Sequence, residues 1–348
     1  MPSASFLALT AAAVTGLALL VTPTVAAQAA PTQDATAVMT AESEPTQVRF
    51  ATFNVRTSRA DIGTSHHWLH RAVSVAQEIK NRDPGIVAIQ ELGPGRADGR
   101  KAGVKNSLRQ TESLEKALRS VGAGKYQLVR TTAYVAPGTS HSTQGTRILY
   151  DTNKYRLVSK CPETTGKKNY NSSCSMDLPS DAKANRRSAA YAEFEDRKTG
   201  KNFFVVSVHL DDRHSSNPST EGALDNLRAS QVRAAYKRVS NLAGSKPILF
   251  GGDLNSWKTK AGSNAPFDEM TSNGFDDATV APTRIGAEYP TVNHWQGTLS
   301  ANGEARQVAL DVVMAKGALS FDTYENVMNV TDGNRPSDHN MVISNLVL

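Results

Sequence analysis

Cysteine is nearly absent: the 348-residue chain carries two, Cys161 and Cys174. A lone pair at this spacing, without further ligands, excludes a structural zinc cluster and a redox motif. No G-x-S-x-G elbow, H-E-x-x-H helix, P-loop or complete G-x-G-x-x-G fingerprint occurs. Serine-hydrolase, zinc-protease, P-loop and dinucleotide-binding chemistries therefore lack their usual carriers. Gly93-Pro94-Gly95 begins like the last of these, but Asp98 stands where the third glycine belongs, and the segment reads as a turn. Internal repeats are missing, as is any Pro/Gly/Ser-rich linker after Gln47, which argues for one domain. With 39% hydrophobic and 21% charged residues, the composition is neither fibrous nor disordered. Acidic residues are the minority charge, 33 Asp+Glu against 39 Lys+Arg for a net +6, a balance that favours polyanionic partners.

The apolar stretch at 6–21 is shorter than the ~20 residues that span a bilayer. Pro23 and then Ala27-Gln28-Ala29 follow it, the small-x-small pattern of a secretory cleavage site. No Lys or Arg precedes the stretch, so the terminal amine alone supplies the positive end. These features predict a signal peptide over 1–29 and a secreted protein. Residues 30–47 hold too few apolar groups to offset the entropy of ordering, and predict a disordered tether ahead of a domain at 48–348. Outside the cell Cys161 and Cys174 are expected to close a disulfide.

Short β-branched or aromatic runs at 48–55, 86–90, 203–208, 248–250, 310–314 and 341–347 predict strands. Helical patterns fill 68–81, with Leu69, Val73, Ala76 and Ile79 on one stripe, then 108–121 and 224–242. Strands mixed with helices give a single α/β domain of packed layers. Polar residues recur at strand ends: Asn54, Gln90 with Glu91, His209, and Asp253 with Asn255. A core strand gains nothing from such an ending, whereas a site at one rim of a sheet requires it.

Glu91, Asp253, Asp311 and Asp338, with Asn54 and Asn255, form an oxygen-donor set suited to Mg²⁺, Mn²⁺ or Ca²⁺. His209 and His339 remain for proton transfer or phosphate contact. Phosphodiester hydrolysis needs an activated water, neutralisation of oxygens gaining charge and help for the leaving oxygen, and this set supplies all three.

Six segments carry a resemblance: ATFNVR (51–56), IVAIQE (86–91), SVHLDD (207–212), GGDLNS (251–256), LDVVM (310–314) and SDHNMV (337–342). In order and spacing they resemble the motif series of the endonuclease/exonuclease/phosphatase superfamily, the DNase I-like phosphoesterases. The resemblance covers the whole domain. It implies a four-layer sandwich, two central mixed β-sheets flanked by helices, with the active site at one end of the sheets. It also implies Glu91 as the principal metal carboxylate, with Asn54 and Asp338 completing the shell. Asp253 would orient or deprotonate the attacking water, and Asn255 would donate to phosphoryl oxygens, although an Asx turn at 252–255 explains the same residues. His339 would face the scissile phosphate, held protonated by Asp311, and His209 would assist the transition state or leaving group. Arg147, in GTRILY (145–150), would meet phosphate or pair with a surface carboxylate.

The substrate rests on flanking residues. Lys167, Lys168, Arg186, Arg187, Arg213 and His214 predict a cationic rim that tracks a phosphate backbone, or else a solvated charged surface. A sphingomyelinase-like enzyme would expose paired aromatics for membrane entry, and none is evident. Nuclease action on nucleic acid thus leads, membrane phospholipid is the alternative, and a non-catalytic binding or toxin-like module would have lost Glu91, Asp253 or His339. The expected state is a monomer with no protein partner. His66, His67 and His70 read as surface residues, and Trp68, Trp257 and Trp295 as packing groups.

Overall fold

The computed structural model describes residues 44–93, 95–100, 108–129, 145–161, 174–183, 186–257, 264–303, 308–328 and 335–348. The expected signal peptide and most of the tether lie outside them, as do Lys167 and Lys168. Thr46 and Gln47 already belong to the folded body, since the Leu348 N–H donates to the Thr46 carbonyl at 2.9 Å.

In chain order the strands are β1 (Gln47–Asn54), β2 (Ile86–Gln90), β3 (Tyr126–Leu128), β4 (Arg147–Asp151), β5 (Tyr155–Leu157), β6 (Ser175–Asp177) and β7 (Ser188–Asp196). They continue with β8 (Asn202–His209), β9 (Ile248–Asp253), β10 (Asp276–Asp277), β11 (Thr283–Ile285), β12 (Asp311–Lys316), β13 (Ser320–Val327) and β14 (Met341–Val347). The helices are α1 (Trp68–Arg82), α2 (Gln110–Ser120), α3 (Pro218–Ala243) and α4 (Ala265–Thr271). One sheet runs β11-β13-β14-β1-β2-β4-β3, and the other runs β10-β12-β9-β8-β7-β5 with β6 also on β7. Each is centred on a parallel pair, β1 with β2 and β8 with β9. Helices α1 and α3 make the crossovers that a parallel pair requires.

Four layers follow from the period-2 alternation of strand side chains. Phe50, Ile86 and Ala88 of the first sheet meet Phe203, Val205, Leu249 and Val313 of the second in the central core. On the first sheet's outer face Phe53, Val87 and Ile89 pack with α1 and α2 through Trp68, Val75, Ile79, Leu114 and Leu118. On the second sheet's outer face Val206, Val208 and Phe250 pack with α3 and α4 through Val232, Val239, Phe267 and Met270. The sheets approach closely at Gly251, where a Cβ would lie 2.8 Å from Ala88 Cβ and 3.0 Å from Phe50 Cζ.

The helix α1 stripe differs from expectation. Leu69 and Val73 are exposed, and Trp68, Ala72, Val75, Ala76 and Ile79 form the buried face. Trp68, the largest apolar side chain of the helix, fixes the rotation, and its neighbours at i+4, i+7, i+8 and i+11 follow it inward. Cys161 and Cys174 are bridged, with Cα atoms 5.4 Å apart. Among the described residues no helix is long and apolar enough to cross a membrane.

Candidate active site

Parity and register bring the polar strand ends together. On β1, Phe50 faces the central core, so Asn54 four residues on points the same way. The same count carries His209 inward from Val205 and Asp253 from Leu249, and Asp311, two residues before Val313, shares that strand's inward parity. His209 pairs in register with Asp253 across β8 and β9, and Asp253 with Asp311 across β9 and β12. Three of the expected site residues thus form a row at one end of the second sheet, and Asn54 closes it from the first.

Beneath the row lies a buried polar layer. Thr52 Oγ1 donates to Gln90 Oε1 at 3.2 Å, Gln90 Nε2 donates to Ser207 Oγ at 3.3 Å, and Ser207 Oγ donates to the Ile89 carbonyl at 3.1 Å. These bonds tie the two sheets together below the site, which explains the polar Gln90 at a strand end.

Asn54 Nδ2 bridges two carboxylates, donating to Asp253 Oδ2 at 3.0 Å and Glu91 Oε1 at 3.3 Å. Glu91 has left-handed backbone, φ 58°, and its Oε2 accepts the Thr57 N–H at 2.8 Å. Asp338 takes Arg56 Nη1 at 2.7 Å. Glu91 and Asp338 offer carboxylate oxygens and no thiolate, which fits a hard divalent cation, whereas Asn54 turns its Nδ2 to the carboxylates and its Oδ1 accepts the Arg56 N–H at 3.0 Å. Asp253, Asp311 and His339 also bring one possible ligand atom each within 4.8 Å of the others. That triplet is already internally bonded, with His339 Nδ1 at 2.9 Å from Asp311 Oδ2, and reads better as a proton-handling group.

The shared burial acts in opposite directions on its members. Asp253 is pushed up to about 7, first by burial and then by the neighbouring Asp311 charge, against His339 and the hydrogen bonds from Asn255 and Asn54. Burial works against the charge of His339, but Asp311, Asp253 and Asp338 outweigh it and hold the imidazole well above its ordinary pKa. His209 is held well below its ordinary value by burial, then by Arg187 and His339, and is neutral. Its Nε2 stands 3.5 Å from Asp253 Oδ2. Asn255 forms the Asx turn, its N–H donating to Asp253 Oδ1 at 2.9 Å, while Nδ2 donates to the Leu210 carbonyl at 3.1 Å.

Other expected residues differ from the sequence reading in burial or pairing. Arg147 is 1% exposed at the start of β4 and donates to the Thr146 carbonyl, so its guanidinium is not at the surface. Among the described residues the expected cationic rim is paired with carboxylates: Arg186 with Asp177, Arg213 with Asp181 and Asp211, and His214 with Glu221. Arg187 is buried and meets Asp212 Oδ1 at 2.8 Å. His67 is buried rather than superficial, its Nε2 3.0 Å from the Ser58 carbonyl. Trp68 is core, whereas Trp295 is half-buried with its ring stacked on His66 at 4.2 Å.

The sequence reading missed the residues that aim the site. Thr291 Oγ1 accepts the Leu310 and Asp311 N–H groups at 3.1 and 3.2 Å, and the Thr291 carbonyl accepts the Asn340 N–H at 2.7 Å. Asn293 N–H donates to the Asp338 carbonyl at 2.7 Å. Arg71, buried in α1, donates to the carbonyls of Val55, Arg56 and Pro336. No local pattern marks Thr291 or Arg71, because their partners are backbone groups remote in sequence.

A profile described as Endonuclease/Exonuclease/phosphatase family matches residues 51–339. Among curated proteins no sequence matches significantly. A solved endonuclease/exonuclease/phosphatase from Bacteroides vulgatus is similar at TM-score 0.60 and 22% identity, over 86% of this chain and 98% of that one. A mannosyl-6-phosphatase from Bacteroides thetaiotaomicron is similar at TM-score 0.61 and 17% identity, over 86% and 100%. D. rerio TDP2, solved with a single-strand DNA product, is similar at TM-score 0.54 and 15% identity, over 86% and 98%.

Proposed function

The chain belongs to the endonuclease/exonuclease/phosphatase family, and from that premise we propose that it is a secreted, divalent-metal-dependent nuclease. Family members hydrolyse phosphoester bonds, generally with a divalent metal. The observation that carries the hydrolytic reading is the in-register row of His209, Asp253 and Asp311 with His339 bonded to its end.

In this reading Asp253 takes the proton of the attacking water, a role its carboxyl suits because burial and the neighbouring Asp311 charge raise its affinity for a proton. His339, kept charged by Asp311, faces the phosphoryl oxygens as they gain negative charge. Asn255 adds a donor there. His209, being neutral, offers a hydrogen bond rather than a charge, to the transition state or the leaving oxygen. Glu91, Asp338 and Asn54 would hold Mg²⁺, with Mn²⁺ or Ca²⁺ as alternatives, and the ion would supply Lewis-acid neutralisation of the phosphate.

The net charge of +6 supports a nucleic acid substrate, as does likeness to a protein solved with a single-strand DNA product. The small-x-small site at 27–29 and the Cys161–Cys174 bridge support export. The test is a parallel assay on duplex DNA, RNA, sphingomyelin and a sugar monophosphate, each with Mg²⁺, Ca²⁺ or chelator. Polynucleotide cleavage that requires the ion is expected. Headgroup or phosphate release without polynucleotide cleavage would keep the phosphoesterase and discard the nuclease.

A further inference from the structure

Arg56 follows Asn54 by two residues, with its backbone in the left-handed region at φ 56°. Its guanidinium joins two carboxylates, Nη1 to Asp338 Oδ2 at 2.7 Å and Nε to Asp61 Oδ2 at 3.1 Å. The carboxylates of Asp338, Asp61 and Glu91 all lie close enough to Arg56 to act on its charge. Two of those three, Asp338 and Glu91, are the carboxylates assigned to the divalent cation. The side chain therefore compensates the same negative charge that the ion would.

A second arginine nearby shows what a fixed cation looks like. Arg71 is 4% exposed, and it donates to the carbonyls of Val55, Arg56, His66 and Pro336. It cannot leave without stripping those bonds. The Arg56 side chain is 32% exposed and, among the described residues, is held by two ion pairs alone, so it can swing toward water once another cation takes over the charge of Asp338.

We infer that Arg56 is a tethered counter-cation that competes with a divalent ion for Asp338: its guanidinium pairs with that carboxylate and gives it up as the ion binds. Arg56 thereby sets the ion concentration at which the site fills. A divalent ion that takes Asp338 beside an unmoved guanidinium meets like-charge repulsion at short range, and one that displaces it must break an ion pair; both lower affinity. The inference rests on Glu91 and Asp338 as the metal carboxylates and is independent of which phosphoester is cleaved.

The test is Mn²⁺ binding to the whole folded protein without substrate, read from the free-Mn²⁺ EPR signal. Arg56→Gln and Arg56→Met should each tighten binding by about tenfold or more, since partial exposure screens but does not abolish the repulsion. Arg56→Lys should stay near wild type because a charge remains. The Arg56 carbonyl bonds to Arg71 and Gln110 are backbone contacts and survive all three changes. Glu91→Gln should weaken binding and so shows that Mn²⁺ reports on this site. Unchanged or weaker binding in both neutral variants, with Glu91→Gln still impaired, overturns the inference. Undiminished binding in Glu91→Gln overturns it together with the metal assignment, while the substrate assay decides the nuclease reading separately.

Discussion

Asp253 and His339 lie in one buried cluster, and each neighbour's charge decides which of them carries a proton. If Asp253 handles the water and His339 meets the phosphate, His339→Ala and Asp253→Ala each lower turnover by at least ~10². Stability should fall by less than ~2 kcal/mol, because truncation at a strand end opens no large cavity. Asp311→Asn is the milder change, since the ring stays in place, and its combination with His339→Ala should be no slower than His339→Ala alone. Multiplying losses would mean that the two residues act independently. The pH profile separates them further. The folded pKa of His339 is raised, so activity needing the imidazolium persists above pH 6.5 and is lost only as pH rises through that higher value. Asp311→Asn removes the largest raising influence, so the alkaline limb of kcat/KM should move toward acid. An unmoved limb would show that Asp311 does not charge His339.

At the scale of elements, the site depends on how closely two sheets approach and on strand parity. Gly251→Ala places a Cβ against Ala88 and Phe50 from the facing sheet. We expect a loss of about 1–3 kcal/mol in urea unfolding, the usual cost of overpacking, and a stability equal to wild type would mean that the sheets separate freely. Strands rich in apolar residues were legible in the sequence: β2 and β14 occupy the residues predicted, 86–90 and 341–347, because IVAIQ opens on four apolar residues and MVISNLV is interrupted only by Ser344 and Asn345. Strand β7, SAAYAEFED, was not, since alanine and glutamate carry little strand signal and pairing with β8 supplies the order. Strand β13, SFDTYENV, is half polar and owes its order to β14. The α1 stripe was misplaced because Leu69 and Val73 are as apolar as the residues that are buried. The strand-end residues Asn54, His209 and Asp253 stood out because polarity at the end of an apolar strand is a local signal, whereas Asp311, at the start of β12, was marked through the LDVVM segment. Thr291 and Asn293 did not, since their role lies in backbone contacts made by a loop of no regular pattern.

For the molecule as a whole, the Cys161–Cys174 bridge and the proposed export make one joint expectation. Protein recovered from the medium should begin near Ala30 and resist alkylation at both cysteines under denaturing, non-reducing conditions. Two freely alkylated thiols would contradict the oxidising compartment. The central claim is that one rim of the sandwich carries out ion-dependent phosphodiester hydrolysis on nucleic acid. Its most direct test is the initial rate of cleavage of a labelled DNA strand after exhaustive chelation, with and without restored Mg²⁺, for wild type and for His339→Ala. The account predicts wild-type cleavage only when Mg²⁺ is restored, with His339→Ala at least ~10² slower under the same conditions. Full cleavage by the chelated wild type, or an undiminished rate in His339→Ala, would contradict it.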